Sequence, residues 1–107
     1  MQLTEIKSSK GQGLLSGLIR IHILYHACKE DIFGLGMIEE LQRHGYKLSA
    51  GTLYPMLHGL ESRGLLRSKK TRFGRRSRRV YRATATGRKA LAHAREKVKL
   101  LLGELLE

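Results

Sequence analysis

The strongest constraint on the fold is a helical pattern with a proline inside it, SAGTLYPMLHGLESRGLL from Ser49 to Leu66. The apolar residues Leu53, Met56, Leu57 and Leu60 recur at i, i+3, i+4 and i+7, the spacing of one helix face. Pro55, the only proline of the chain, lies among them. At about 100° per residue, Pro55 falls on the face opposite Leu53. The pattern therefore predicts a helix whose buried face excludes the proline.

Two starting points for this helix accommodate Pro55. If the helix begins after an N-cap at Ser49, Pro55 loses the hydrogen bond to the Gly51 carbonyl and kinks the helix. If Thr52 is the effective N-cap, Pro55 lies at N3, where the backbone N–H has no intrahelical partner. We expect a mixture, in which a loose first turn from Ser49 leads into a regular helix from about Thr52.

The rest of the chain contains three more helical patterns. Leu14–Lys29 is apolar on most faces, which favours burial against a second subunit. Gly36–His44 predicts a second helix with Gly45 as its C′ residue, and Gly64 plays that part for the helix at 49–63. After Thr84, a good N-cap, a final helix repeats apolar residues from Leu91 to Leu105 at 3,4,3,4 spacing.

Basic residues are concentrated between the third and the final helix. Residues 67–107 carry fourteen Lys/Arg and three Asp/Glu, against seven and six in residues 1–66. Nine basic residues and no acidic one lie from Arg67 to Arg82. This density favours a polyanionic partner over a merely solvated basic face. Nucleic acid is the favoured partner, and a membrane surface comes second. Leu65–Lys69 and Arg78–Ala83 alternate like strands, and the glycine-bearing TRFGRRS between them predicts a hairpin turn.

Length and composition narrow the class of protein. The chain has 107 residues, enough for one small domain. It shows no secretion signal and no apolar run near the roughly 20 residues of a membrane span. Cys28, its single cysteine, excludes an intramolecular disulfide. We expect a cytoplasmic protein without a membrane partner.

The order of these elements predicts a mainly α fold with a small β-hairpin: a winged helix-turn-helix with a C-terminal dimerisation helix. The expected organisation is a flexible N-terminal segment at 1–13, the DNA-binding domain at 14–83 and the dimerisation helix at 84–107. In this arrangement the third helix enters the major groove of DNA, and the basic hairpin, or wing, follows the backbone or the minor groove.

GTLYPMLHGLESRGLL, followed by RRVYRATATGRKAL, resembles the PadR family of transcriptional regulators over roughly residues 14–95. The resemblance implies a dimeric bacterial-type regulator, often a repressor, that binds a palindromic operator and is commonly released by a small-molecule effector or another signal. The single short C-terminal helix is similar to that of the smaller PadR subgroup. The chain departs from the family pattern at Gly34-Leu35-Gly36, where relatives usually have Gly-Tyr.

The candidate DNA-binding residues lie on the third helix and on the wing. The helix face opposite Leu53 carries no Arg, Asn or Gln for bidentate base contacts, so we expect it to approach the groove closely. The tip residues Arg72, Arg75 and Arg76 should contribute most, while Arg67, Arg82, Arg88 and Lys89 either line the flank or stay solvated. The full set is Ser49, Gly51, Thr52, Tyr54, Pro55, His58, Lys69, Lys70, Arg72, Arg75, Arg76, Arg78 and Arg79.

Apolar residues repeat at 4,3,4,3 spacing over residues 14–28 and at 3,4,3,4 spacing over residues 91–105. These two seams predict a homodimer interface. Its candidate residues are Leu14, Leu18, Ile21, Tyr25, Leu91, Ala94, Val98, Leu101, Leu102 and Leu105. A small-molecule effector pocket beside the first helix would have Tyr25, His22, His26 and Cys28 as polar lining, although ordinary packing is the more economical interpretation of these residues.

Other functions receive less support from the sequence. A winged-helix RNA-binding or ribosome-associated protein is the main alternative, because a short, very basic chain suits it. An enzyme is disfavoured, since the acidic residues are scattered and no nucleophile motif is present. His22 and His26 at i, i+4 lack a third ligand, so we expect no metal and no cofactor.

Overall fold

The computed structural model describes residues 9–107, which form four helices and one two-stranded antiparallel sheet. The elements are α1 (Ser9–Lys29), α2 (Gly34–Arg43), α3 (Ala50–Ser62), β1 (Leu66–Phe73), β2 (Arg76–Ala83) and α4 (Ala85–Leu105). This order confirms the predicted winged helix-turn-helix with a C-terminal helix. Residues 1–8 of the expected flexible segment lie outside the described residues, whereas α1 already begins at Ser9, before the expected start at Leu14.

In the core, one face of each of the first three helices packs against the base of the hairpin. Ile19, Ile23, Leu41, Leu53 and Leu57 are fully buried. Tyr81 of β2 is also buried against this cluster, with Leu66 of β1 beside it. A small domain needs this shared burial, because no single amphipathic helix is stable without it.

Helix α3 buries its apolar stripe and exposes its proline, as the sequence predicts. Leu53, Met56, Leu57 and Leu60 are buried, while Pro55 is exposed. The alternative N-cap at Thr52 is wrong: Ser49 is the N-cap, and its carbonyl already accepts hydrogen bonds from the backbone N–H groups of Thr52 and Leu53. Pro55 therefore lies in the second turn, where its ring leaves the Gly51 carbonyl without the usual i+4 donor.

The second helix and the hairpin differ in length from the sequence prediction. Helix α2 begins at Gly34, two residues before the expected Gly36, and Phe33 is its N-cap. The strands extend to Phe73 and Arg76, so the turn contains only Gly74 and Arg75. Gly74 has φ +66° and no non-glycine residue of the described chain has a positive φ, which is the pattern of a type II′ turn. The narrow turn carries strand pairing to the tip of the wing.

The start of α4 is fixed by the segment that follows α3. The Thr84 hydroxyl accepts a hydrogen bond from the Gly87 N–H at 2.9 Å and donates one to the Gly64 carbonyl at 2.6 Å. A Cβ on Gly87 would overlap the Leu65 carbonyl, so only glycine permits this close approach. Arg88 then donates to the Cys28 carbonyl at 3.2 Å and caps the end of α1. Thr84 is therefore confirmed as the N-cap.

Candidate nucleic-acid interface

The exposed face of α3 is nearly bare. Gly51, Pro55, His58 and Ser62 are exposed, and a Cβ built on Gly51 would meet nothing closer than the Ser49 hydroxyl at 3.7 Å. Gly51 is thus not required by any neighbouring group within the described chain. Because Gly51, Pro55 and Ser62 leave most of this face without long side chains, the helix can lie deep in a groove of a nucleic acid.

Tyr54 and His58 are the large polar side chains of this face. Their ring centroids are 6.2 Å apart, and the Tyr54 side chain is 38% exposed. The buried side of Tyr54 rests on Gly34, the first residue of α2, where a Cβ would overlap the Tyr54 hydroxyl. The Gly34-Leu35-Gly36 segment therefore holds a tyrosine that comes from α3.

The hydroxyls at the start of α3 lie close together. Ser49 Oγ and Thr52 Oγ1 are 3.4 Å apart, and the Ser49 side chain makes no capping bond to the helix. The N–H groups of the first helical turn project from the same end. An anion at this position would meet backbone N–H groups and the favourable end of the helix dipole.

Strand register separates the basic residues of the wing into two faces. Directly paired residues share a face, and the pairs are Lys70 with Arg79, Arg72 with Ser77, Thr71 with Arg78 and Phe73 with Arg76. One face therefore carries Lys70, Arg72 and Arg79, whereas the other carries Arg67, Lys69, Arg76, Arg78 and Arg82. Arg75 lies in the turn between them.

The face with Lys70, Arg72 and Arg79, here called the α3-side face, is connected to α3 by polar contacts. Arg79 Nη1 donates to Ser68 Oγ at 3.0 Å, and Ser68 Oγ donates to Glu61 Oε2 at 2.7 Å. Glu61 lies in the last turn of α3. This chain of contacts places the base of the α3-side face beside the last turn of α3.

On the opposite face of the wing, two arginines contact other residues of the same chain. Arg82 Nη1 lies 3.3 Å from Asp31 Oδ1, and the Arg78 guanidinium lies over the rings of Phe33 and Phe73. Arg78 is partly buried, whereas Lys69, Lys70, Arg72, Arg75, Arg76 and Arg79 are exposed. The sequence did not distinguish Arg78 from these neighbours, because its partner Phe33 is far away along the chain.

The predicted interface residues form an apolar surface on α1 and α4. Leu14, Leu18 and Tyr25 on α1 are exposed by 81%, 43% and 39%. Val98, Leu101, Leu102 and Leu105 on α4 are exposed as well, whereas Leu91 packs against the core of its own chain. Ile21 and Ala94 are half-buried. Apolar surface of this extent on a small protein is typical of an association site.

An open cavity of about 560 Å³ lies between α1, α4 and the end of α2. Its walls include His22, Tyr25 and His26, three of the four residues that the sequence analysis considered as lining. The remaining lining residues are Leu18, Ile21, His44, Arg95, Val98 and Lys99. Cys28 is not part of it, because its side chain packs against the core on another side of α1. The sequence analysis did not predict His44, Arg95 and Lys99 at this cavity, because they come from α4 and from the end of α2.

The histidines beside this cavity form a compact group. The rings of His22 and His44 are 4.7 Å apart, and Glu40 Oε2 lies 3.2 Å from His44 Nε2 and 3.6 Å from His26 Nε2. Burial and the neighbouring His44 and His26 lower the pKa of His22. Within the described residues, no group of three or more His, Cys, Asp or Glu side chains is placed to hold a metal ion.

The fold and the site define a winged helix-turn-helix protein with a bare recognition helix and a basic wing. The chain belongs to the PadR-like family of transcriptional regulators, whose family model matches residues 23–93. The family is one of transcriptional regulators, which act by binding DNA. In the described part of the chain, no helix has both the length and the apolar character to cross a membrane.

Individual relatives agree with this assignment. A transcriptional regulator of Mycobacterium tuberculosis, Rv3488, is 49% identical over 88 residues, which cover 82% of each chain. The crystal structure of a PadR family regulator from Eggerthella lenta superposes with a TM-score of 0.77 at 32% identity, over 92% of this chain and 90% of that one. A PadR-like regulator from Bacillus cereus shares the fold, with a TM-score of 0.76 at 24% identity over 89% and 97%.

Proposed function

We propose that this regulator is a homodimeric repressor that acts in the cytoplasm on a palindromic operator. The bare face of α3 beside the α3-side face of the wing carries this proposal, because a helix face with few long side chains can enter the major groove while the adjoining arginines reach phosphates. Base recognition then depends on Tyr54, His58 and groove shape, since bidentate readers are absent from this face of α3.

The candidate DNA-contacting residues have two roles in this arrangement. Ser49, Thr52 and the first N–H groups of α3 hold one phosphate, which also fixes the angle of the helix. Lys70, Arg72 and Arg79 contact the backbone next to the groove, and Arg75 extends the reach at the tip. Lys69 and Arg76 project from the other face of the wing and add long-range attraction.

The dimer is proposed from the exposed seams of α1 and α4. Pairing them would remove the exposed leucines from water, and each buried apolar Å² contributes about 25 cal/mol. Two α3 helices would then face DNA about one helical turn, roughly 34 Å, apart. A dimer that neutralises about 8 phosphates gives a slope of log K against log salt near −7.

A small-molecule effector would fit the cavity between α1 and α4, which a partner subunit would close further. Its lining combines the apolar Leu18 and Val98 with polar groups that include Tyr25 and Arg95. Compounds that release DNA from the wild type but not from an Arg95→Ala variant would locate the effector here.

Selection of DNA fragments from a random duplex pool tests the proposed function. A repressor of this kind enriches one sequence with two related half-sites, and it binds that duplex far better than structured RNA at the same salt. Enrichment without a common sequence, together with equal binding of structured RNA, would favour a winged-helix RNA-binding or ribosome-associated protein. Binding that hardly changes between low and moderate salt would contradict both.

A further inference from the structure

The segment between α1 and α2 holds the wing along one strand. Ile32 exchanges two backbone hydrogen bonds with Tyr81 of β2, at 2.9 and 2.7 Å. Its two neighbours in the chain each contact an arginine of the same strand: Asp31 pairs with Arg82, and the Phe33 ring lies under the Arg78 guanidinium. Arg78 and Arg82 are an even number of positions apart and therefore share one face of the strand.

Arg78 is held by aromatic rings. Its Cζ atom lies 3.7 Å from the centroid of Phe33 and 4.6 Å from that of Phe73. Phe73 is on β1, diagonal to Arg78 on the same face of the hairpin. The Nε atom of Arg78 is buried and has no hydrogen-bond partner in the described part of the chain. Stacking on ring faces is a favourable environment for a planar, weakly hydrated guanidinium.

The position of Phe33 depends on the first turn of α2. A Cβ on Gly36 would lie 3.0 Å from the Phe33 ring, so glycine at this position leaves the ring room to fold over the helix. Phe33 is thereby fixed on α2 while its other side contacts the wing. The contact between Phe33 and Arg78 links the helix-turn-helix to the distal half of the hairpin.

We propose that Arg78 is a positioning residue of the wing and does not neutralise a phosphate. By bridging Phe33 and Phe73 it holds the distal hairpin at one angle to α2, and so to the DNA-binding face of α3. The phosphate contacts then come from the exposed arginines. Arg72 on the α3-side face is one of them, and it serves as the comparison in the tests below. The effect of Arg78 on affinity rests on the proposed DNA-binding function, whereas its effect on the order of the wing does not.

Hydrogen exchange of the free protein tests the positioning role directly. Arg78→Lys keeps the charge, but an ammonium cannot lie flat against two rings. Losing one such contact should raise exchange of the amides at 73–78 about two- to fivefold, given roughly 0.5–1 kcal/mol for each cation–π pair. Phe33→Leu should give a similar rise, and the double variant should add little to either. Arg72→Lys, on the other face of the hairpin, should leave exchange unchanged.

DNA binding over a range of salt concentrations separates positioning from phosphate contact. Arg78→Lys should weaken binding about three- to tenfold at every salt concentration without changing the slope, and Arg72→Gln should reduce the slope by about 1 per protomer. Wild-type exchange and affinity in Arg78→Lys, with a slope reduced by Arg78→Gln, would overturn the proposal. If the wild type itself binds no DNA, the proposed function fails, and the exchange measurement alone decides the role of Arg78.

Discussion

Tyr54 rests on Gly34: the tyrosine hydroxyl and ring occupy the space that any side chain at residue 34 would need. The two residues come from different helices, α3 and α2. The orientation of the largest side chain on the bare face of α3 is therefore set by a glycine outside that face. Nothing in the helical periodicity of α3 predicts this contact.

A double-mutant cycle measures the contact between Gly34 and Tyr54. Gly34→Ala should lower the free energy of unfolding of the wild type by about 1 kcal/mol, because the new methyl group displaces the tyrosine. In a Tyr54→Ala background the same substitution should stabilise the protein by a few tenths of a kcal/mol, since alanine is the better helix former. Urea denaturation of the four proteins gives the coupling energy. Equal effects in both backgrounds would show that the contact contributes nothing.

Gly51→Leu tests whether the bare face of α3 serves close approach to DNA. The site is exposed and open, so we expect stability within about 0.5 kcal/mol of the wild type. Affinity for the selected duplex should fall about tenfold or more, because the leucine would hold the helix out of the groove. Gly103→Leu, at an open position on α4, is the control and should neither weaken binding nor lower stability. A Gly51→Leu protein that unfolds but binds normally when folded would show that the glycine is needed for the first turn of α3 and not for close approach to DNA.

Leu101→Glu tests the dimer seam. Burying a carboxylate without a partner is costly, so this variant should be a monomer with weak operator binding in sedimentation and titration experiments. Leu100→Glu is the matched control, because Leu100 is exposed by 68% and lies about 100° away from Leu101 on the helix, outside the seam. Val98→Ala should be tolerated better than Leu101→Glu. A dimeric Leu101→Glu protein would exclude this surface as the interface.

The lowered pKa of His22 makes stability depend on pH. The folded protein favours the neutral ring, so the unfolded chain binds more protons as the pH falls below the ordinary histidine value of 6.5. The contribution of His22 is therefore complete above pH 6.5 and is lost as the pH falls through the lower, folded pKa. The loss of unfolding free energy between pH 7.5 and pH 5.5 should be smaller in His22→Gln than in the wild type. His93→Gln, at an exposed histidine on α4, is the control, and an unchanged loss in His22→Gln would contradict the prediction.

In the structure, each family-motif residue of VYRATATGR has its own physical role. In VYRATATGR, Tyr81 is buried and pairs with Ile32, Thr84 caps α4, Gly87 permits contact with the Leu65 backbone, and Arg88 caps α1. The sequence predicted only the cap, because a cap is local: its partner lies three residues away. The other three roles depend on segments that become neighbours only after folding.

The sequence by itself determined the four helices, the hairpin and the bare face of α3, because helical and strand periodicity fix which side chains share a face. It also located the excess of basic charge in the wing. Only the tertiary structure decided how that charge is used: strand register separates Arg72 from Arg78, and Phe33, from a distant segment, engages one of them. Arginines of one hairpin with the same local sequence character thus have different surroundings, since packing against remote residues, and not local pattern, determines which charges remain exposed.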